Sequence, residues 1–182
     1  GAKNRTLGLV GFGGIGTEVA KRAVPFGMKV IYFCRHPNPA DDAAYGVQSV
    51  SMEELLKESD YVVAAVPLTD QTFHLFNEEC IAQMKAGSVL INIARGPVVD
   101  EEALAQALAS GHLGGCAVDV FPKEPCTDSV LTRYSNALLT PHSATSTAEN
   151  SKATNFAAAN NLVNYLKKDI DAKYVVVQGT RY

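Results

Sequence analysis

The segment that most restricts the fold is a short apolar run followed at once by glycines at fixed spacing. Thr6–Val10 leads directly into Gly11, Gly13 and Gly16, in the pattern G-x-G-x-x-G, and a helical pattern then continues to about Ala23. A strand, a glycine turn and a helix in this order are typical of βαβ units that receive a phosphate group at the helix N-terminus. A chain that starts this way is expected to build a parallel sheet with helices on both faces.

The same alternation of short apolar runs and helical patterns continues along the chain. Ser51 and Asp100 stand where helix-capping residues are expected. The sequence predicts a doubly wound, mostly parallel α/β sheet of Rossmann type with about seven strands. A long last helix is predicted over about residues 147–168. The predicted strands are 6–10, 29–33, 47–50, 61–65, 88–93, 116–120 and 137–139.

Three local predictions concern the segments between and after these elements. A polar, proline-containing loop is predicted from about Arg35 to Asp42. The run Ser146–Glu149 has the S-x-x-E pattern of a capping box, which would make Ser146 the N-cap of the last helix. The tail from Asp169 to Tyr182 is predicted to be irregular, with one apolar stretch at Tyr174–Val177.

The composition excludes several other classes of protein. A chain of 182 residues has the size of one domain, and 47% hydrophobic with 19% charged residues is a globular balance. A net charge of −3 gives no support for a nucleic-acid partner. No uncharged apolar run approaches the ~20 residues that a spanning helix needs, so no membrane partner is expected.

The cysteines favour reduced thiols and a cytoplasmic location. The chain has four of them, and no two are spaced as C-x-x-C. Neither a metal site nor a redox motif is therefore expected. The four are Cys34, Cys80, Cys116 and Cys126.

Each glycine of the first turn has a separate predicted role. Gly11 allows the tight turn, Gly13 lets a pyrophosphate approach the backbone, and Gly16 lets the helix pack close to the sheet. The amides of Gly14 and Ile15 would lie at the helix N-terminus, where the helix dipole favours an anion. The alternative is a glycine turn without a ligand, but ordering glycines for packing alone is entropically costly. The sequence therefore predicts a dinucleotide site.

The end of the second predicted strand bears on which dinucleotide is bound. NAD-binding domains usually place an acidic residue there, which accepts hydrogen bonds from the ribose. Here the position is Cys34, and Arg35 and His36 follow. A guanidinium would pair with a 2′-phosphate that a carboxylate would repel, so NADP is predicted to be favoured over NAD. The alternative is a surface arginine and histidine without a ligand role.

Three further segments follow the last predicted strands and contain ionisable residues. They are Asn92–Gly96, Asp119–Pro125 and Thr140–His142. With the glycine turn and in this order, they closely resemble the D-isomer-specific 2-hydroxyacid dehydrogenases. The resemblance runs from Thr6 to the long last helix and thus covers nearly the whole chain.

The resemblance implies three catalytic residues. Arg95 would bind the carboxylate and the carbonyl oxygen of the substrate, and His142 would be the general acid in ketone reduction and the base in alcohol oxidation. Glu124 would orient the imidazole and stabilise its charged form. Each residue alone has an ordinary alternative: an ion-pair arginine, a solvated glutamate, a structural histidine.

The resemblance also implies cofactor contacts beyond the glycine turn. Thr72 ends a P-L-x-x-x-T run that would lie near the pyrophosphate, and Asp119 would contact the nicotinamide end. The sequence departs from the family pattern after His142, where a more apolar run is usual. The contacts implied are Thr72, Ile93, Asp119, Ser143, Ala144 and Thr145.

The function implied is NAD(P)-dependent hydride transfer between a 2-keto acid and a D-2-hydroxy acid. One alternative is an NAD(P)-sensing interaction module, like the transcriptional corepressors that resemble this family. Another is a formate dehydrogenase, which Glu124 argues against because that branch pairs its histidine with a glutamine.

Family members have an N-terminal substrate-binding segment before the glycine turn. That segment is missing here, and the chain begins at Gly1 rather than at a methionine. We therefore expect a fragment that forms a single dinucleotide-binding domain over residues 1–182 and binds cofactor without full activity. The resemblance implies a homodimer for the intact protein.

Overall fold

The computed structural model describes residues 1–169 and 171 of the chain. The predicted apolar stretch Tyr174–Val177 lies outside these described residues. The strands are β1 (Thr6–Val10), β2 (Lys29–Phe33), β3 (Gln48–Ser49), β4 (Tyr61–Ala64), β5 (Val89–Asn92), β6 (Gly115–Val118) and β7 (Ala137–Leu139). The α-helices are α1 (Gly14–Ala23), α2 (Pro39–Tyr45), α3 (Met52–Glu58), α4 (Glu78–Ala82), α5 (Glu101–Ala109) and α6 (Ala148–Leu166). Short 3₁₀ turns cover Val24–Phe26, Gly96–Val98 and Val130–Arg133.

The seven strands form one sheet in the order β3-β2-β1-β4-β5-β6-β7. Every neighbouring pair is parallel, which confirms the predicted doubly wound α/β fold. The chain winds outward in one direction from β1 to β3 and in the other direction from β4 to β7. The strand order therefore reverses between β1 and β4, and ligands of such sheets bind beyond the carboxyl ends of the strands at that point.

Both faces of the sheet are buried. Successive residues of a strand point to opposite faces, and here they enter two different core clusters. Val10 belongs to a core cluster with Leu55 of α3 and Leu104 of α5. Its neighbour Leu9 belongs to a second cluster with Ala20 of α1. Apolar strands with helices on both sides are what the sequence pattern predicted.

Two helix starts match their predicted caps. The Ser51 side chain accepts a hydrogen bond from the Glu54 amide at 3.2 Å and starts α3. The Asp100 carboxylate accepts bonds from the amides of Glu102 and Ala103 and starts α5. These caps satisfy amides that have no partner within the helix.

Two other local predictions were wrong. The predicted loop of residues 35–42 contains the start of α2, because Asn38 caps the helix and Pro39 fits its first position. The last helix is capped by Thr147 rather than Ser146, since the Thr147 hydroxyl accepts from the Asn150 amide at 3.2 Å. The long last helix itself is confirmed, since α6 covers residues 148–166 within the predicted range of about 147–168.

The chain divides into two compact units, Gly1–His142 and a second unit that begins at Ser143. The sheet and the helices α1–α5 belong to the first unit, and α6 belongs to the second. In the part of the chain that the structure describes, we find no helix long and apolar enough to cross a membrane. The four cysteines are free thiols.

Candidate active site

The first glycine of the turn after β1 has a backbone that other residues rarely adopt. Gly11 has a φ of +103°, and a Cβ built on it would lie 2.4 Å from the carbonyl oxygen of Ala65. The turn therefore passes against the segment that follows β4. A side chain here would meet both backbone strain and a clash with main chain.

Gly16 also allows a close approach between main-chain segments. A Cβ on Gly16 would lie 2.4 Å from the Gly11 carbonyl oxygen. The first turn of α1 thus packs closely on the glycine turn that follows β1. The reason is local, because the tight turn brings the backbone of residue 11 over the start of the helix.

The remaining glycines of the turn face open space. A Cβ on Gly13 or Gly14 would have no atom within 4 Å, and the N-cap Gly13 supplies no side-chain cap for α1. The first turn of α1 carries no acidic residue. Uncapped amides at the start of a ten-residue helix favour an anion, so the turn fits the pyrophosphate of a dinucleotide.

Two clefts meet at the point where the strand order reverses. The first, of about 490 Å³, is lined by Gly11–Gly13 and Cys34–His36 and also by Thr72. The second, of about 470 Å³, is lined by Ile15 and by Ile93–Arg95. Both clefts are bordered by residues 65–67, so together they form one elongated site across the ends of β1 and β4.

The β2 side of the first cleft presents positive charge. Arg35 and His36 are exposed there, and among the described residues Arg35 has no ion-pair partner. Asp42, in α2, accepts a hydrogen bond from the Tyr32 hydroxyl at 2.8 Å. Burial and this bond raise the pKa of Tyr32 to about 12. The Asp42 carboxylate is thus hydrogen-bonded to the hydroxyl of the buried Tyr32.

Thr72 shapes the loop that follows β4. Its hydroxyl donates to the Pro67 carbonyl oxygen at 2.6 Å and accepts from the Thr69 amide at 2.8 Å. The hydroxyl proton is therefore used within the loop. Thr72 borders the first cleft and fixes the conformation of the segment between the two clefts.

Arg95 follows β5 in a loop that is held by a buried amide. Its guanidinium is exposed and donates through Nη1 to the Ala94 carbonyl oxygen at 2.6 Å. Asn92 is only 1% exposed, and its side chain bonds to the backbone of Ala94 and Arg95. Sequence reasoning assigned no role to Asn92. The available signal was a polar residue at the end of an otherwise apolar strand.

Gly96 brings two loops of the candidate site together, which sequence reasoning also missed. A Cβ on Gly96 would lie 2.0 Å from the carbonyl carbon of Phe121. The loop after β5 therefore packs backbone against backbone on the loop after β6. Only a residue without a side chain permits this approach.

His142 and Glu124 form a hydrogen-bonded pair. His142 Nδ1 lies 2.7 Å from Glu124 Oε2, and the Phe121 amide donates to Glu124 Oε1 at 2.9 Å. The bond from His142 and, second, that from Phe121 hold the pKa of Glu124 below its usual value. The positive charge of Arg95 acts in the same direction. His142 and Glu124 are thus in direct contact, and Arg95 is near enough for its charge to act on Glu124.

The backbone of His142 is unusual for a residue with a side chain. Its φ is +52°, in the left-handed region, and its amide donates to the Thr140 carbonyl oxygen at 3.0 Å. Such conformations persist where the surrounding contacts enforce them, and they concentrate at functional sites. The turn directs the imidazole toward Glu124.

Asp119 follows β6 and is tied to the neighbouring strand ends. Its carboxylate accepts from the Thr140 hydroxyl at 2.5 Å, and its amide donates to the Asn92 carbonyl oxygen at 3.1 Å. Ser143, Ala144 and Thr145 belong to the second unit, so their cofactor contacts remain a prediction.

Across residues 1–169 and 171, no group of three or more His, Cys, Asp or Glu side chains is arranged to hold a metal ion.

The doubly wound sheet, the uncapped glycine turn and the elongated cleft define the α/β class of dinucleotide-binding domains. Residues 1–144 match the family model described as "D-isomer specific 2-hydroxyacid dehydrogenase, NAD binding domain". The chain therefore belongs to the D-isomer-specific 2-hydroxyacid dehydrogenase family, which confirms the resemblance seen in the sequence.

Named relatives support this membership. A glyoxylate reductase from Thermococcus litoralis is 42% identical over 175 residues, which are 96% of this chain and 53% of the relative. A hydroxypyruvate reductase from Thermotoga maritima is 46% identical over 149 residues, covering 80% of this chain and 47% of the relative. The crystal structure of a glyoxylate reductase from Paecilomyes thermophila superposes with a TM-score of 0.86 at 39% identity, covering 92% of this chain and 51% of that one. The chain thus spans about half the length of these relatives.

Proposed function

We propose that the full-length protein is an NAD(P)-dependent reductase of small 2-keto acids, of the glyoxylate and hydroxypyruvate class. The observation that carries this proposal is the 2.7 Å contact between His142 and Glu124 beside the positive charge of Arg95. An acid–base group and a carboxylate anchor at one edge of a dinucleotide-binding sheet are what 2-keto acid reduction requires. The names of the relatives favour the same substrate class.

Arg95 is proposed to anchor the substrate. A guanidinium is always charged, and its planar array of donors matches a carboxylate in two places at once. In the structure its Nη1 bonds to the loop carbonyl of Ala94, which leaves other donors of the guanidinium for a ligand. Arg95 would also polarise the substrate carbonyl and stabilise the oxyanion that develops there.

His142 is proposed to give a proton to the carbonyl oxygen during reduction and to take it back during oxidation. Glu124 accepts the bond from Nδ1, which fixes the ring and leaves Nε2 for the substrate. Hydride transfer is the chemistry that a bound nicotinamide dinucleotide supplies.

The dinucleotide is proposed to lie across the two clefts, with NADP favoured over NAD. Arg35, exposed and without an ion-pair partner among the described residues, supports a 2′-phosphate at the β2 end. The amides at the start of α1 would hold the pyrophosphate. The residues proposed to contact the dinucleotide are Gly11, Gly13, Gly14, Ile15, Gly16, Cys34, Arg35, His36, Thr72, Ile93, Asp119, Ser143, Ala144 and Thr145.

Residues 1–182 alone are proposed to bind the dinucleotide with little turnover, since the relatives contain about as much chain again. The intact protein is proposed to be a homodimer in the cytoplasm, where its free thiols stay reduced. The relatives named above are reductases, which gives no support to the sensing alternative.

A steady-state assay of the full-length protein tests this function. NADPH oxidation would be followed with glyoxylate, hydroxypyruvate and pyruvate in turn. We expect turnover with at least one of these acids and dependence on Arg95, with Arg133→Ala as the matched control. Absence of turnover with all three acids, by a protein that still binds NADPH, would contradict the proposal and favour a sensor.

A further inference from the structure

Asn92 ends β5 with a side chain that is used entirely on the next loop. The residue is 1% exposed, although its neighbours in the strand are apolar. Its Oδ1 accepts from the Ala94 amide at 3.1 Å, and its Nδ2 donates to the Arg95 carbonyl oxygen at 3.1 Å. A buried amide is costly unless both of its ends are bonded, and here the loop supplies both partners.

These bonds fix the backbone of Arg95, while its exposed side chain makes one bond, from Nη1 to the Ala94 carbonyl oxygen. The Arg95 carbonyl oxygen accepts a second bond, from the Val98 amide at 3.1 Å, where the 3₁₀ turn begins. The guanidinium beyond it is exposed. The loop is therefore rigid at the point from which the charged group projects.

The same loop is connected to the acid–base pair through main chain. Gly96 packs against the backbone of Phe121, and the Phe121 amide donates to Glu124, which holds His142. An unbroken series of short contacts thus runs from the Asn92 amide to the imidazole. A shift of the Arg95 loop would change the distance between the anchor and the proton donor.

We infer that Asn92 is a positioning residue that sets the place of Arg95 relative to the His142–Glu124 pair. The inference rests on the proposed function, because it assigns Arg95 to the substrate. Asn92 acts only through the loop, since it is buried and its polar atoms are occupied. Catalytic groups must be held to within a fraction of an ångström. A loosened Arg95 loop should therefore lower kcat/KM even when the fold persists.

Two substitutions separate this role from a merely structural one. Asn92→Ala removes both bonds. Asn92→Ser keeps a short acceptor for the Ala94 amide and loses only the bond to Arg95. The matched control is Asn136→Ala, which deletes a 3.2 Å bond to the Gly114 carbonyl oxygen. These two residues lie just before β7 and β6, at the ends of the strands that point away from the candidate site.

In the full-length protein we expect both Asn92 variants to lower kcat/KM for the 2-keto acid by roughly 10- to 100-fold, mainly through KM. The affinity for NADPH should change by less than about twofold, because the Asn92 side chain bonds only to the backbone of Ala94 and Arg95. In an Arg95→Ala background, Asn92→Ala should add almost nothing, since residues that act as a unit are not additive. Asn136→Ala should leave the kinetics unchanged in both backgrounds.

A titration with oxalate provides a readout that does not depend on turnover. Oxalate binding that requires Arg95 should weaken in both Asn92 variants and persist in Asn136→Ala. Equal losses with and without Arg95, or a parallel loss of NADPH affinity, would overturn the role of Asn92. A wild-type protein that turns over no 2-keto acid would instead overturn the proposed function, and the oxalate titration would still decide the inference.

Discussion

His142 Nδ1 lies 2.7 Å from Glu124 Oε2, and these residues come from loops that follow different strands. The other carboxylate oxygen of Glu124 is held at 2.9 Å by the Phe121 amide. Each oxygen therefore has one fixed partner, and the imidazole cannot turn without breaking a charge-assisted bond. The arrangement is rigid on the protein side and open on the side of Nε2.

Replacing His142 tests its role as the proton donor. We expect His142→Ala in the full-length protein to lower turnover by about 10² to 10⁴, the usual contribution of a positioned acid–base group. NADPH affinity should be nearly unchanged, because the imidazole bonds to Glu124 outside the glycine turn. Stopped-flow rates and a fluorescence titration measure the two quantities.

The matched control for this experiment is His112→Ala. The His112 ring bonds to the Ile81 carbonyl oxygen at 3.0 Å and lines neither of the two clefts. Its removal should leave turnover unchanged. A His142→Ala protein that reduces substrate at the wild-type rate would disprove the assignment.

Replacing Arg35 tests the proposed preference for NADP. A hydrogen bond to a charged group is worth about 1.5–3 kcal/mol, so Arg35→Ala should weaken NADPH by roughly 10- to 100-fold. NADH, which lacks the 2′-phosphate, should lose little. Isothermal titration with both cofactors measures this difference, with the exposed Arg133→Ala as control. Equal losses for both cofactors, or tighter binding of NADH by the wild type, would refute the role.

Alanine at two glycines of the same turn should change different properties, the stability of the fold at Gly11 and the affinity for NADPH at Gly13. Gly11→Ala forces a left-handed backbone and a clash with Ala65, so it should destabilise the fold by at least about 1–2 kcal/mol. Gly13→Ala meets no atom within 4 Å, so its effect on unfolding should stay within about 1 kcal/mol. The added methyl should still weaken NADPH by about tenfold or more, the equivalent of about 1.4 kcal/mol. Urea unfolding and cofactor titration separate the two effects, and a Gly13→Ala protein with wild-type affinity would place the pyrophosphate elsewhere.

Asp60 should make part of the stability depend on pH. Lys85 at 2.8 Å and the Thr6 amide at 2.8 Å hold the pKa of Asp60 below its ordinary value of 3.8. A depressed pKa means that the ionised form stabilises the fold above pH 3.8, and that this contribution is lost as the pH falls through the folded-state pKa.

The measurement is urea unfolding of the wild type and of Asp60→Asn from pH 7 to pH 3. Asp60→Asn should be less stable at pH 7, and the difference should shrink as the wild-type carboxylate becomes protonated. A difference that stays constant over this range would show that Asp60 acts through its shape alone. Salt should reduce the difference at pH 7, since both cations that contact Asp60 are partly exposed.

The strands and several helix starts were predictable because their signals are local. The parallel, doubly buried strands show as apolar runs, and the Ser51 and Asp100 caps satisfy amides only two or three residues away. The start of α2 had such signals too, an Asn38 cap and Pro39 at the first position, but the run of polar residues concealed them. Thr147 and Ser146 are adjacent and chemically alike, so only the backbone decides which of them caps.

The tertiary contacts of the candidate site were harder to derive from sequence. Glu124 and His142 are 18 residues apart, and their pairing was suggested by family resemblance rather than by spacing. The roles of Asn92 and Gly96 depend on how one loop lies on another, which no local pattern encodes. Such residues become visible only when the buried polar groups and the close backbone approaches are located in three dimensions.

The order of strands has a consequence for how such a protein can diverge. Arg95, Glu124 and His142 follow β5, β6 and β7, whereas the residues proposed to bind the pyrophosphate and the 2′-phosphate follow β1 and β2 on the other side of the reversal point. If residues 34–36 select the coenzyme as proposed, substitutions there would leave the distances within the His142–Glu124 pair unaltered. Descendants of one ancestral gene could in this way adapt to the redox pool of a new host while keeping the chemistry they inherited.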